Sequence, residues 1–477
     1  MPASTNLSSL ALGAACLALA AGCAVGPDFK RPDVQVPTAF KENAGWKVAA
    51  PDDGVKRGPW WEVFNDPVLN ELEGRVETSN QSILQAVANY EEARQIVRSD
   101  RTGYLPTVAA TGSADRTRSP AATYAPGHAL TSTLYTGELQ ASWEPDIWGK
   151  LRRTVEADVA NAQASAADLA LARLSTQATL AQDYIGLRTT DDKIRLLEVT
   201  VEAYKRTLKI TQNKYAVGVA AKSDVITAQT QLDSTRAQLI AAGVQRAQYE
   251  HAMAVLVGNA PSEFSIARTP AIGLSIPEVP AQLASTLLER RPDIAAAERL
   301  AAAANAKIGI QTAAYFPSLS LSGTGGYEGS PLSQLFTAPF RFWTLGAQAT
   351  DSLLDWGQRH DLVLSARAAY EATAANYRQT VLTALQQVED NLAGLRLLKE
   401  EAEVEDAAVN EAAQAAQIAL NEYNSGTVDF TTVATAQVTE LTNRETALGI
   451  IQSQLTSSVA LIQALGGGWK TDDLPRS

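Results

Sequence analysis

Residues 194–218 read IRLLEVTVEAYKRTLKITQNKYAVG. Within them Ile194, Leu197, Val201, Tyr204, Leu208, Thr211 and Tyr215 step by alternating threes and fours, the spacing of a helix seam in a coiled coil. No proline interrupts the chain from Asp146 to Ala260, or again from Phe340 to Leu474, and both tracts are rich in Ala, Leu, Gln and Glu. A helix running from Lys150 to about Ala216 would be roughly 100 Å long at 1.5 Å per residue, several times the length of an ordinary globular helix. Such a rod spans a distance rather than filling a core.

The same pattern occurs twice. Trp148-Gly149 returns as Trp356-Gly357, Gly186-Leu187-Arg188 as Gly394-Leu395-Arg396, and Asn213, Tyr215 and Gly218 as Asn421, Tyr423 and Gly426. Ala228-Gln229 and Gly258 likewise return as Ala436-Gln437 and Gly466, always 208 positions on, while Tyr104-Leu105-Pro106 matches Tyr315-Phe316-Pro317 at 211. A constant offset held without a gap over more than a hundred residues is the mark of a tandem duplication. The expected organisation is a signal peptide at 1–22, an extended segment at 23–66 and a first repeat at 67–258. A linker at 259–280, a second repeat at 281–468 and a tail at 469–477 complete it.

Ahead of each long helical tract lie two stretches of period-two alternation. Thr107, Thr111 and Ser113 alternate with Val108, Ala110 and Ala114, and Thr136, Glu138, Gln140 and Ser142 with Tyr135, Leu139 and Trp143. Ser318, Ser320, Ser322 and Thr324 alternate with Leu319 and Leu321, and Thr344, Gln348 and Thr350 with Trp343, Leu345 and Ala349. One polar and one apolar face suit either a half-buried soluble sheet or a barrel with a wet lumen. Strands of about ten residues match an outer-membrane crossing, yet four cannot close a barrel, and an open edge in lipid leaves backbone groups unpaired. Two copies would supply eight strands, whose interior fills with side chains, whereas three supply twelve and leave a lumen.

Leu10 to Ala21 form a short apolar run of signal-peptide length, followed by Leu19-Ala20-Ala21-Gly22-Cys23. That ending resembles a bacterial lipobox, which implies lipidation of Cys23 as the mature N-terminus; Ala24 after it matches outer-membrane sorting. The alternative is an ordinary signal peptide with an incidental cysteine.

Nearly the whole mature chain resembles the TolC-like outer-membrane efflux proteins, in their NodT-type lipoprotein branch. The residues carrying the likeness are Cys23-Ala24-Val25-Gly26-Pro27-Asp28-Phe29, Trp60-Trp61 with Asp66-Pro67, Arg290-Arg291-Pro292-Asp293-Ile294, the paired Tyr-x-x-Gly turns, and Ala464-Leu465-Gly466-Gly467-Gly468-Trp469. The resemblance implies an α+β membrane protein: a tandem-duplicated α-helical coiled-coil tunnel, with four strands per chain completing a trimeric 12-stranded β-barrel. It further implies a homotrimer lipid-anchored in the bacterial outer membrane, extending into the periplasm to meet a periplasmic adaptor and an inner-membrane pump. The expected task is to be the exit duct of a tripartite system exporting drugs or other small molecules.

On this reading Asp115 to Thr131 and Tyr327 to Pro339 form the outer loops. The turns carrying Tyr215, Gly218, Tyr423 and Gly426 form the adaptor-contacting tip, although glycine in a helix reversal is also explained by geometry alone. Val428, Asp429, Thr432 and Thr435 fall at the periplasmic aperture. Relatives commonly carry Asp at the positions of Thr432 and Thr435 and a basic residue at that of Val428. The resemblance therefore implies an aperture here held by packing rather than ion pairs, and less selective for cations; Asp224 and Asp429 stand nearby.

Charge and composition narrow the alternatives. Forty Lys and Arg against 52 Asp and Glu give a net charge of −12, the wrong sign for a nucleic-acid partner. With 2 Cys and 3 scattered His (His128, His251, His360), the chain has little material for a metal site or a Cys–His nucleophile, and no phosphate loop or paired-carboxylate signature stands out. No cofactor and no enzymatic activity is expected. A type I protein-secretion duct, a passive porin and a non-channel envelope scaffold lipoprotein remain as other readings.

Overall fold

The computed structural model describes residues 24–35, 37, 40–42, 59–120, 130–269, 274–277, 290–469 and 474. Two short helices open the main body, α1 (Pro67–Ser79) and α2 (Gln81–Thr102), followed by the hairpin β1 (Thr107–Ser119) and β2 (Leu130–Trp143). The chain then runs through α3 (Lys150–Ala216) and back through α4 (Lys222–Leu256). The order repeats as α5 (Pro292–Ala313), β3 (Ser318–Gly329), β4 (Arg341–Thr350), α6 (Gln358–Ser425) and α7 (Phe430–Ala464). The long helices hold 67 and 68 residues and the helices returning from them 35 each. Among the described residues no helix is both long and apolar enough to cross a membrane.

The α3 seam is buried at Ile194, Leu197, Val201, Tyr204, Leu208 and Thr211, and only Tyr215, its last member, emerges. Tyr204, Leu208 and Val201 pack with Leu232 of α4 and with Tyr423, Phe430 and Val433 of the second hairpin, so the two hairpins share one apolar cluster. A second, larger cluster lies where both repeats meet near the middle of the helices, around Tyr184, Leu187, Leu392, Leu455 and Leu461.

Each returning helix ends against the start of the short helix that leads to the strands. Gly258 and Gly466 turn the chain there with φ of +74° and +92°. At Gly258 a Cβ would lie 2.5 Å from the Ser79 carbonyl oxygen, and at Gly466 it would strike that of Arg290, so only glycine fits. The two joints are tied by different chemistry at equivalent positions. Asn80 donates its amide N–H to the Leu256 carbonyl at 2.8 Å while its side-chain oxygen caps α2 at Ser82 N and Ile83 N. Arg291, 211 residues later and buried, donates to the Ala464 carbonyl at 3.0 Å and pairs with Asp293 and Gln387. Its charge suits the carbonyl end of α7.

The strands form one antiparallel sheet in the order β1-β2-β3-β4. Thr107 pairs with Ser142, Trp143 with Leu321 and Ser318 with Thr350, registers that gather polar residues on one face and apolar residues on the other near the helix end of the sheet, while towards the outer end Arg116, Arg118 and Arg341 join the apolar face and Leu134 and Phe342 the polar one. The expected outer loops prove too wide. Asp115 to Ser119 continue β1, pairing as far as Leu130, and Tyr327 to Gly329 continue β3, because their backbones complete ladders that polar side chains do not interrupt. Residues 121–129 of the first loop lie outside the described residues.

An N-terminal strap binds the helices together. Val25 N–H bonds to the Trp148 carbonyl, and Arg153 gathers Val25, Gly26 and Asp28 at 3.2, 3.2 and 2.9 Å. Asn305 holds the Pro27 carbonyl, Arg378 that of Asp33, and Glu389 the backbone N–H groups of Lys41 and Glu42. In the connection between repeats Arg246 and Glu250 take the carbonyl and N–H of Ile266, each at 2.6 Å.

On α1 the core-facing stripe is Leu69, Leu72, Glu73 and Val76. Glu73 is fully buried, and both its carboxyl oxygens lack a partner among the described residues. Burial without compensation pushes its pKa up to about 9, so it is held neutral. The fold then keeps a proton that the unfolded chain releases above 4.5, and stability falls as pH rises from there towards 9. Glu73→Gln is expected to shrink, by a few kcal/mol, the loss of stability that the wild type suffers across this window. Thermal unfolding midpoints at pH 5, 7 and 9 check it; parallel curves for the two proteins would contradict it.

Candidate functional site

Two ends of the molecule carry its candidate functional features, and the strand end comes first. α3 starts at Gly149 (φ +79°), where Asp146 accepts from the N–H groups of Leu151 and Arg152 at 2.9 and 2.8 Å. Trp148 stacks on Phe316 with ring centroids 4.6 Å apart and donates its indole N–H to the Pro317 carbonyl at 2.8 Å, locking the first repeat to the second. Asp355 and Arg359 repeat the helix-start clamp on α6. Ala24 lies so close to Gly149 that a Cβ there would approach it to 2.7 Å. Cys23, the expected lipidation site, lies outside the described residues; its neighbour Ala24 packs on Gly149, six residues past the end of β2.

At the other end are the two helix reversals. The first runs from Tyr215 to Ala221: Gly218 (φ +77°) donates to the Tyr215 carbonyl and Val219 to that of Lys214, and Asp224 accepts from Ala221 N–H. The second turns at Gly426 (φ +82°), which donates to Tyr423, with Thr427 donating to Glu422. Left-handed glycine closes both helices.

The repeat-related tyrosines are used differently. Tyr215 is 47% exposed in the single chain, whereas Tyr423 is 4% exposed, packed edge-on against Phe430 at 5.4 Å. Of the residues expected at the aperture, Asp429 is the N-cap of α7, its carboxylate accepting from the N–H and hydroxyl of Thr432, both at 3.0 Å. The Thr435 hydroxyl donates to its own helix at Thr431, and Val428 packs into the apolar tip cluster.

Sequence reading missed three features here. Lys214 reaches from the end of α3 to the second turn, donating to the carbonyls of Tyr423 and Asn424 with its ammonium 4.1 Å from the centre of the Tyr423 ring. Gln437 of α7 is held from α3 and α4, its carbonyl by the Tyr204 hydroxyl at 3.1 Å and its amide oxygen by Gln231 at 3.3 Å. Val217 and Val219, flanking Gly218, are 74% and 70% exposed. Two apolar side chains beside a turn glycine were the available signal; a lysine aimed at backbone carbonyls leaves none. Among the described residues no three His, Cys, Asp or Glu side chains gather as a metal would require.

A polar-faced strand set that runs directly into paired helices of about 100 Å defines a membrane channel with a helical extension. The chain matches the outer membrane efflux protein family twice, over residues 74–259 and 283–467, and it belongs to that family. It is 29% identical over 473 residues to the probable efflux pump outer membrane protein TtgC of Pseudomonas putida, covering 97% of this chain and 96% of that one. The outer-membrane channel OprN superposes with a TM-score of 0.87 at 29% identity, over 94% of this chain and all of OprN. The open state of the Neisseria gonorrhoeae MtrE channel superposes at 0.83 with 26% identity, over 94% and 99%. The chain is an outer-membrane efflux channel of the α+β fold shared by these proteins.

Lys214 couples the two tips by a charge-assisted bond and a cation–π contact, together on the order of 1–2 kcal/mol at this half-buried position. Lys214→Met is expected to raise amide hydrogen exchange across residues 423–430 about tenfold, while Lys209→Met, at an exposed site one turn away, leaves it unchanged. Equal exchange in the two variants would show that packing alone ties the tips.

Proposed function

We propose that three copies of this chain close a twelve-stranded outer-membrane barrel and continue it as one periplasmic tunnel, the exit duct of a tripartite pump for small molecules. One observation carries this reading: among the described residues the four-stranded sheet ends in two unpaired edges, β1 and β4, while each of its hairpins feeds a helix of 67 or 68 residues. Lipid tolerates no open edge, and closure by three copies leaves a lumen lined by the polar face. Each chain contributes four helices in two hairpins as it contributes four strands, so three copies supply twelve of each.

The strap supports a lipid on Cys23. Ala24 is tied beside Trp148 and Gly149, at the base of the strands, so an acyl chain on the preceding residue meets the inner leaflet without stretching the chain. At the far end, the exposed turn with Tyr215, Val217, Gly218 and Val219, and the neighbouring turn at Gly426, form the surface for a periplasmic adaptor. Tyr423 serves that surface from beneath, as the ring on which Lys214 rests. Val428, Asp429, Thr432 and Thr435 border the aperture, and no carboxylate–lysine pair among the described residues closes these last turns.

Single-particle imaging of the membrane-extracted protein is expected to give a threefold particle with a helical tail of roughly 100 Å, and its intact mass to begin at an acylated Cys23. A monomer, or a mass without acyl chains, would overturn the assembly or the anchor respectively. Val217→Asp with Val219→Asp is expected to abolish co-purification with the adaptor and restore drug sensitivity while the trimer persists. Retained co-purification would move the contact away from the first turn.

A further inference from the structure

The internal seam between repeats is a worked example of a seam that the single chain cannot form. Within the chain, β2 of the first repeat pairs with β3 of the second, and below them Trp148 stacks on Phe316 and bonds to the Pro317 carbonyl. The counterparts of these groups, found by adding 208 or subtracting 211, are β4, β1, Trp356, Leu105 and Pro106. They lie at opposite edges of the sheet, and Trp356 and Leu105 are 89% and 68% exposed. Trp356 moreover holds φ at +53°, a left-handed backbone that a tryptophan keeps only where contacts offset the strain.

The offsets are tested by the chain itself. Applied to the first hairpin, they turn the pair Thr107↔Ser142 into Ser318↔Thr350, the register observed in the second. The offsets reproduce all ten pairs of the second hairpin, from Ser318↔Thr350 to Tyr327↔Arg341. The same offsets applied to the β2–β3 pairs Ser142↔Ser322, Gln140↔Thr324 and Leu139↔Gly325 give Thr350↔Thr111, Gln348↔Ser113 and Ala347↔Ala114.

Resting on the three-copy reading above, we propose that the β4 edge of one copy joins the β1 edge of the next in this antiparallel register, and that Trp356 of one copy lies over Leu105 of the next with its indole N–H on the Pro106 carbonyl. The face pattern fits without having been used: the register sets Thr350 against Thr111 and Gln348 against Ser113 on the polar face, and alanine against alanine on the other. A slip of one residue would turn every side chain of one copy to the wrong face. A slip of two keeps the faces but carries Trp356 about 7 Å along its neighbour, past the Leu105–Pro106 site. The tryptophan thus sets the register that the alternation alone leaves open. Towards the outer end the pairing sets Trp343 and Leu345 opposite Arg118 and Arg116, where basic side chains reach headgroups rather than hydrocarbon.

Disulfide trapping in native membranes tests the register. Oxidised Gln348→Cys with Ser113→Cys is expected to give covalent dimers and trimers on a non-reducing gel, and Gln348→Cys with Asp115→Cys, two residues out, at least tenfold less. Photo-crosslinking from Trp356→p-benzoylphenylalanine is expected to label the peptide holding Tyr104 to Thr107 of another copy. A wild-type trimer in which the shifted pair traps faster, or in which the photo-label maps elsewhere, overturns the seam and leaves the three-copy reading standing. A wild-type protein that is not trimeric by native mass overturns the reading on which the seam rests.

Discussion

Everything in this chain follows from two rows of backbone N–H and C=O groups that it cannot pair by itself. The sheet is four strands wide, and in hydrocarbon each unpaired group costs several kcal/mol. Closure with other copies is therefore a condition for the strands to lie in the membrane at all. The polar face then acquires its meaning: Thr111, Ser113, Gln140, Ser322, Thr324 and Gln348 are cheap only if water fills the space they surround. The helices inherit the arrangement, since Gly149 and Gly357 turn each hairpin straight into a long helix.

Duplication supplies the geometry, and the two repeats have kept it by different chemical means. The joint between returning helix and short helix needs a glycine in left-handed conformation and a side chain that reaches the last carbonyls of the returning helix. Both copies retain the glycine, because no other residue fits. For the reaching group one copy uses a neutral amide that also caps the next helix, and the other a buried arginine held by Asp293 and Gln387. Backbone crowding conserves identity here, while hydrogen bonding requires only a donor.

That distinction explains what could be read in the sequence. The repeat, the long helices, the strand faces and the two tip turns were legible because they depend on periodicity and on glycines that steric contact dictates. The ends of the strands were not, since Asp115 to Arg118 have the composition of a loop and only the ladder to Leu130 makes them strand. Nor were the interactions at the tip. Tyr215 and Tyr423 are identical letters at equivalent positions, yet one is exposed and the other roofed by Lys214. The lysine's partners are carbonyl oxygens, which every residue carries and no pattern reveals. Nor was the N-cap role of Asp429 legible, one of whose carboxylate oxygens is engaged by the start of α7 while the residue stays exposed.

The divergence has a direction. In the sheet the repeats remain close enough that the same offsets reproduce all ten pairs of the second hairpin from those of the first, as a barrel of equivalent strands would demand. Equivalent strands must share tilt and stagger or the ring does not close. At the helix-reversal end no such closure rule acts on individual residues, and the hairpins have taken separate parts. The first presents Val217 and Val219 outward and sends Lys214 sideways; the second turns its tyrosine inward to receive it and packs Val428 and Phe430 below. In the proposed three-copy ring, alternating unlike hairpins would give one kind of contact within a chain and another between chains. Lys214 strengthens the first kind only, so motion at the aperture is expected to be freest where the tip of one chain meets that of the next.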